Sequence, residues 1–311
     1  MIEISVLMPI NNLSNYTKTS IDSILNQSFK NLELIIIIDG NFNLINNFLN
    51  KYYVDYIKSS KINIINNPQN LGITKSLNIG IHNSIGKYIA RNDSDDVSHP
   101  DRLQNQLDFI SSNNNFKIIV SFFRIIDQFG KLIRLKKIKN LKKNNLFNYL
   151  NPISHSSVLF EKKFVQDLNC YNENMYTSQD FELWSKAFLK NPESIGIINK
   201  FFVDIRVHKN SISFNNSDKQ KINSVLICMR NRYPNEEHIF LNNKFIYIYE
   251  NRHNLFDIAT IIDLEALSFC YLGYNKFSLK GLSKLLILIE IFKIFFYHKG
   301  LALKYIKLFF K

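Results

Sequence analysis

From its first residues the chain alternates short apolar runs with segments whose apolar positions recur at helical spacing. Ile2 to Met8 is apolar and β-rich and predicts a buried strand. Asn15 to Leu25 carries apolar residues at helical spacing, and Leu32 to Ile38 is a second apolar run, stopped by Asp39-Gly40. A run this short does not separate strand from buried helix by periodicity. Its β-branched residues and the Asp-Gly stop favour strand. Asn43 to Tyr56 predicts a helix, Ile62 to Asn66 a third strand, Thr74 to Ile81 a helix and Tyr88 to Arg91 a fourth strand.

This alternation predicts a parallel sheet with helices on its faces. Ligands of such sheets sit outside the carboxyl ends of the strands. Three polar clusters fall at such ends: Pro9 to Asn12, Asp39-Gly40 and Asn92 to Asp96. The pattern changes after Asp96. Pro100 to Ser111 predicts a helix with Pro in its first turn. Ile118 to Asp127 predicts a strand, followed by a turn at Gln128 to Gly130 and a second arm from Lys131 to Leu135. Ser154 to Phe160 predicts a short strand, Ser178 to Leu189 a helix capped by Ser178, and Ile197 to His208 a last strand and its exit. From about Ser217 the chain reads as helical, which divides it into a domain over 1–215 and a helical region over 216–311.

Composition narrows the class. The 311 residues are 46% hydrophobic and 21% charged, enough to bury a sizeable core. Cys170, Cys228 and Cys270 lie far apart and fit neither a disulfide framework nor a zinc site, which points to a cytoplasmic setting. The start, from Met1 to Ile10, reads as a strand rather than a signal peptide. The net charge of +13 would suit nucleic acid, anionic lipid or acidic substrates. Much of the excess lies in Lys276 to Lys311, eight Lys against one Glu, among apolar residues. Basic residues of a nucleic-acid binder would spread over a face with interleaved aromatics, so nucleic acid is not the expected partner. Leu282 to Lys311 is too interrupted by charge to read as a bilayer span. An amphipathic helix on the anionic inner leaflet fits it, against the alternative of a core helix with a lysine-rich outer face.

The chemistry concentrates in Asp93-Ser-Asp95-Asp96. Three carboxylates within four residues repel one another, and a cation or strong donors would relieve the cost. A hard divalent ion, Mg2+ or Mn2+, is the natural occupant. A solvated turn before a helix is the alternative. Asp180, near the start of a predicted helix, is either a general base or an acid that favours the helix N-terminus. Asp39 is a turn residue or a ligand-binding one. The same two readings stand for His155 and His208, while Trp184 packs in the core or lines a cleft, with an indole N–H that needs a partner.

Seven segments in order resemble the inverting family 2 glycosyltransferases. They are Ser5 to Asn12, Ser23 to Phe29, Leu34 to Gly40, Asn70 to Gly80, Ala90 to Leu103, and the pair His155 to Val158 with Gln179 to Trp184. The resemblance covers about Ile4 to Ser213. It implies the GT-A fold of this class, a Rossmann-like mixed α/β sheet flanked by helices, with a helical C-terminal extension. It also implies transfer, with inversion, of a sugar from a nucleotide diphosphate donor, typically UDP-linked, to a hydroxyl acceptor. By position, Pro9, Asn11 and Asp39 would line the base pocket, with Asn70 and Gly72 beside it. Asp93 would face the ribose or donor sugar and join Asp95 and His208 at the metal. Asp180 would be the catalytic base and Arg206 would hold the diphosphate. Two positions depart from the pattern: Gln179 replaces a common Glu, which removes a charge that would raise Asp180, and Asn11 replaces a common Tyr.

The resemblance further implies a glycan or lipid-linked glycan acceptor, met by Asn140 to Ser157 and the C-terminal helices. Its setting would be bacterial surface polysaccharide or lipopolysaccharide synthesis, at the inner face of the cytoplasmic membrane. A nucleotidyltransferase is the competing enzyme, but Pro9 to Asn15 contains no Gly, Lys or Arg to hold a triphosphate. A catalytically dead nucleotide-sugar-binding relative is the other alternative, kept open by Gln179.

Overall fold

The computed structural model describes residues 2–138, 141, 147, 150–209, 211 and 217–232. The chain divides into two units, one of Met1–Phe147 with Asn151–Ser224, the other of Asn148–Leu150 with Val225–Lys311. The predicted helices of the C-terminal region beyond 232, the basic tail and Cys270 lie outside the described residues.

The first unit is built on a mixed sheet. Its N-terminal half contains β1 (Ile4–Ile10), α1 (Thr17–Leu25), β2 (Leu32–Ile38), α2 (Phe42–Lys58), β3 (Ile62–Asn66), α3 (Ile73–Asn83) and β4 (Tyr88–Arg91). Strands β3, β2, β1 and β4 lie side by side in that order, all parallel. Every residue of β2 is buried, as expected of a central parallel strand covered on both faces. Glu33 alone in it is charged, and its carboxylate accepts from Ser5 Oγ (2.5 Å), Asn63 Nδ2 (2.5 Å) and Ile85 N (3.0 Å). Gly86 passes so close to β1 that a Cβ there would lie 2.6 Å from Ser5 N, so no other residue fits without moving the strand. Helix α2 buries Ile45, Leu49 and Tyr53, one residue per turn on a single stripe.

After β4 come β5 (Val97–Ser98), α4 (Arg102–Ser111), β6 (Ile118–Ile126), β7 (Leu132–Lys136), β8 (Val158–Glu161), α5 (Lys162–Gln166), α6 (Gln179–Lys190), β9 (Ile195–Arg206) and α7 (Ser217–Arg232). The sheet continues β4-β8-β6-β9-β5, with β7 paired to β6. Strand β8 is antiparallel to both neighbours, whereas β9 runs parallel to β6.

Three sequence expectations need correction. Ser154 to Ser157 is not strand: Ser157 N and Oγ both return to Ser154 O, closing a 3-10 turn over His155–Ser157 before β8 begins. Pro100 and Asp101 lie outside α4, because Pro100 O accepts Ser28 N (2.8 Å) in the turn that precedes the helix. Ser178 stands at the N-cap position of α6 but does not cap it. Its backbone is left-handed, and its hydroxyl donates instead to Gln220 O (3.1 Å).

Candidate active site

The carboxyl ends of β1, β2 and β4 form one rim, and the predicted polar clusters all stand on it. At the end of β1, Asn11 Nδ2 donates to Asp39 O (3.0 Å), and Asn41 Nδ2 donates to Asn11 O (3.3 Å). This ties the loops after β1 and β2 together beside half-buried Pro9. The Asp39 side chain is buried and already occupied. Oδ1 accepts Asn67 Nδ2 (2.7 Å) and Leu71 N (2.8 Å), and Oδ2 accepts Gly72 N (2.9 Å). Asn70 Oδ1 shares the Gly72 N–H (3.1 Å). Asp39 therefore shapes the loop from Asn67 to Gly72. Gly72 sits at φ +86° and ψ 160°, a backbone region nearly confined to glycine that costs other residues about 1–3 kcal/mol.

The acidic loop after β4 is held by two buried arginines. Arg102 lies in the core with no exposed surface. It donates to Asn92 Oδ1 (3.3 Å), Ser98 Oγ (2.7 Å), Gln106 Oε1 (3.1 Å), Arg91 O (2.9 Å) and Val158 O (3.0 Å). One side chain thus joins β4, β5, α4 and β8. Arg91 donates to Leu7 O (3.2 Å), to Asn92 O and to Asp93 Oδ1. Ser156, from the 3-10 turn, accepts Asp93 N (3.0 Å) and donates to Asp93 Oδ2 (3.0 Å). Ser20 of α1 donates to Asp93 O (2.7 Å).

The three carboxylates are pushed in different directions. Burial, the largest single influence, raises Asp93, but Arg91, His155 and the Ser156 hydrogen bond together outweigh it and the net shift is downward, so Asp93 is ionised. Its side chain is 36% exposed, which weakens the burial penalty further. Burial raises Asp95, and the charge of Asp93 adds to it. Asp96 is raised well above its ordinary value by burial and then by Asp95 and Asp93. It faces inward, where Oδ1 accepts Arg206 N (2.9 Å).

His208 and Arg206 close this side of the rim from the end of β9. His208 Nε2 lies 2.9 Å from Asp95 Oδ2. Arg206 donates to Asp95 O (3.2 Å) and Asp127 O (3.1 Å). Tyr16, which the sequence reading did not single out, packs against both, with its ring 4.5 Å from the Arg206 guanidinium and 5.1 Å from the His208 ring. Of the expected metal ligands, Asp95 and His208 meet, whereas the Asp93 carboxylate is engaged by Arg91 and Ser156. Among the described residues no group of three His, Cys, Asp or Glu side chains converges on one point. A carboxylate and an imidazole nitrogen at 2.9 Å still fit Mg2+ or Mn2+, which take one or two protein ligands and fill the rest with water and phosphate oxygens.

Asp180 is the second residue of α6. Burial raises its carboxyl to about 6, while hydrogen bonds from Phe181 N and Asn151 Nδ2 (2.9 Å) oppose the rise. Asp93 adds to it, which puts both carboxylates within electrostatic reach of one another. With Gln179 beside it in place of a charged residue, Asp180 is raised chiefly by burial. The loop ahead of α6 is braced from α3. Thr74 Oγ1 donates to Met175 O (2.6 Å), and Asn78 Nδ2 donates to Tyr171 O (2.9 Å) and Glu173 Oε1 (3.0 Å).

His155 has a structural place. Its Nε2 lies 2.8 Å from Tyr171 Oη, and its ring meets the edges of Tyr171 and Trp184. Burial, and then Arg91, lower it to about 3, so it is neutral at physiological pH. Trp184 is fully buried, and among the described residues its indole N–H finds no hydrogen-bond partner.

The mixed sheet carries an acidic loop on its carboxyl rim, and the raised Asp180 carboxyl lies within electrostatic reach of that loop. The Glycosyl transferase family 2 model matches residues 5–168, and the chain belongs to that family. It is 34% identical over 240 residues to the bifunctional glycosyltransferase pgtA of Dictyostelium discoideum, covering 65% of this chain and 31% of that protein. An uncharacterized glycosyltransferase of Methanocaldococcus jannaschii is 30% identical over 247 residues, covering 78% of this chain and 82% of its own length. The chain thus spans less than a third of the Dictyostelium protein. Among solved structures, S. aureus TarS 1–349 in complex with UDP-GlcNAc superposes with a TM-score of 0.61 at 15% identity, over 87% of this chain and 81% of TarS. That likeness shows the GT-A fold. The nucleotidyltransferase alternative is set aside by family membership.

Proposed function

We propose that the chain transfers a sugar, with inversion, from a UDP-linked donor to a hydroxyl acceptor, with Asp180 as the base. The observation that carries this reading is the raised Asp180 carboxyl within electrostatic reach of Asp93 in the acidic loop. A base that titrates near 6 is ionised at neutral pH yet basic enough to take a hydroxyl proton as that oxygen attacks. Asn151 orients it by donating to Oδ2.

Asp93, held ionised by Arg91, would accept from a donor hydroxyl. Asp95 and His208 would hold Mn2+ or Mg2+, which would supply charge neutralisation for the departing diphosphate. Arg206 would add positive charge beside it. The loop shaped by Asp39, with Asn11 and Pro9 opposite, would receive the base. The binding of UDP-GlcNAc by TarS, which shares the fold, supports a UDP-linked donor. A lipid-linked glycan acceptor, a role in surface polysaccharide synthesis and a peripheral place at the inner membrane face belong to this proposal. Among the described residues no helix is long and apolar enough to cross a membrane.

The test is product stereochemistry. The protein is incubated with a panel of UDP- and GDP-sugars and simple glycoside acceptors, and the new anomeric proton is read by NMR. A product inverted relative to its donor supports the proposal. A retained configuration refutes single displacement with Asp180 as base.

A further inference from the structure

Beyond the reacting rim, the β6–β7 hairpin combines features that a soluble surface ordinarily keeps apart. Phe129 at its tip is 85% exposed, and Leu132, Ile133 and Leu135 along β7 are 50%, 58% and 49% exposed. Val207, whose N–H donates to Ile126 O (2.9 Å) at the base of the hairpin, is exposed as well. Lys131, Arg134 and Lys137 are exposed among them, Lys136 is half-buried, and none of the four pairs with an acid among the described residues. The one acid of the turn, Asp127, spends its carboxylate on the turn itself by accepting Phe129 N (2.9 Å) and Lys131 N (2.9 Å). In the sequence Lys139, Lys142 and Lys143 follow. Strand β7 pairs only with β6, so its outer edge is unpaired among the described residues.

Edge strands that face only water are usually protected by charge and carry little apolar surface. Here charge and large apolar side chains are interleaved, which is the composition of a surface that enters the headgroup layer of an anionic bilayer. We propose that the β6–β7 hairpin, through Phe129, Leu132, Ile133 and Leu135 with Lys131, Arg134 and Lys137, docks on an anionic lipid surface. The hairpin is a different stretch of sequence from the basic C-terminal tail, and its docking does not depend on the chemistry proposed above. It has a consequence for the site. Arg206 donates to Asp127 O at the start of the turn and to Asp95 O in the acidic loop. A docked hairpin therefore brings the Arg206 side of the rim close to the lipid, where an acceptor carried on a lipid would be found.

The test uses the full chain and vesicles of phosphatidylcholine, with or without phosphatidylglycerol. Each basic side chain near an anionic surface contributes roughly fivefold in partition, so K131A/R134A/K137A is expected to weaken binding to the anionic vesicles roughly a hundredfold. F129S/I133S is expected to reduce it as well, and circular dichroism checks that both variants are folded. In Phe129→Trp, brominated lipid should quench the new indole, because Trp184 is fully buried. The proposal is overturned by no binding of the wild-type chain to anionic vesicles, by unchanged binding in both hairpin variants, or by a Trp at 129 that bromine does not quench. A change in oligomeric state by sedimentation velocity with vesicle binding untouched would assign the hairpin to self-association instead, and would equally overturn it.

Discussion

Replacing Asp180 by Asn should remove activity and at the same time stabilise the fold. The carboxyl is raised from 3.8 to about 6, with burial as the largest cause. A folded-state value above the unfolded one means that the native chain binds the proton more tightly. Its contribution to stability therefore falls as pH rises from about 4 to about 6, and the ionised group is a liability at neutral pH. The rise corresponds to about 3 kcal/mol, and partial exposure of the group reduces this to about 1–2 kcal/mol. Asn removes the charge and keeps the shape. Urea unfolding at pH 7.5 and pH 5 measures the effect: Asp180→Asn should gain about 1–2 kcal/mol at the higher pH and less at the lower. Release of nucleoside diphosphate should fall by roughly 10²–10⁴. In the wild type, activity should decline as pH falls through about 6. A variant that is active, or equally destabilised at both pH values, would refute the assignment of Asp180 as a buried base.

Further outcomes follow from the same contacts. Asn151→Ala removes a donor that favours the ionised Asp180, so the acid limb of the pH–rate profile should move to higher pH. Arg102→Ala removes the donor to five neutral acceptors in a fully buried site, and should cost about 1–3 kcal/mol in chemical unfolding for each acceptor left without another donor. Gly72→Ala meets no atom within 4 Å, so its cost is conformational alone, about 1–3 kcal/mol in thermal unfolding, with weaker donor binding by calorimetry.

The N-terminal half was legible because local sequence decides it. The predicted bounds of β2, β3 and β4 are those observed, since each is an apolar run closed by polar residues. Strand β5 has two residues and no pattern to read; it exists because Val97 and Ser98 pair with β9 more than a hundred residues away. The sheet order was equally out of reach, because periodicity cannot show that β8 inserts antiparallel between β4 and β6. In the site, the acidic cluster announced itself as a local excess of like charge. The groups around it and around Asp180 did not, because Arg91 is the last residue of a short buried strand, and Ser156, Asn151 and Tyr16 come from loops distant in sequence. Asp39 shows the limit most clearly: its place at the end of β2 was readable, but its bonds to Leu71 and Gly72 depend on a loop that only the fold brings near.

The central claim is metal-assisted transfer from a nucleotide sugar, and the most direct measurement is release of nucleoside diphosphate from a panel of UDP- and GDP-sugars, with and without Mn2+ or Mg2+, by wild type and Asp95→Ala, with donor binding followed by calorimetry. The account predicts metal-dependent release from one donor, lost in Asp95→Ala. Absence of both turnover and binding for every donor with metal present, or release that is unchanged by the loss of Asp95, would contradict it.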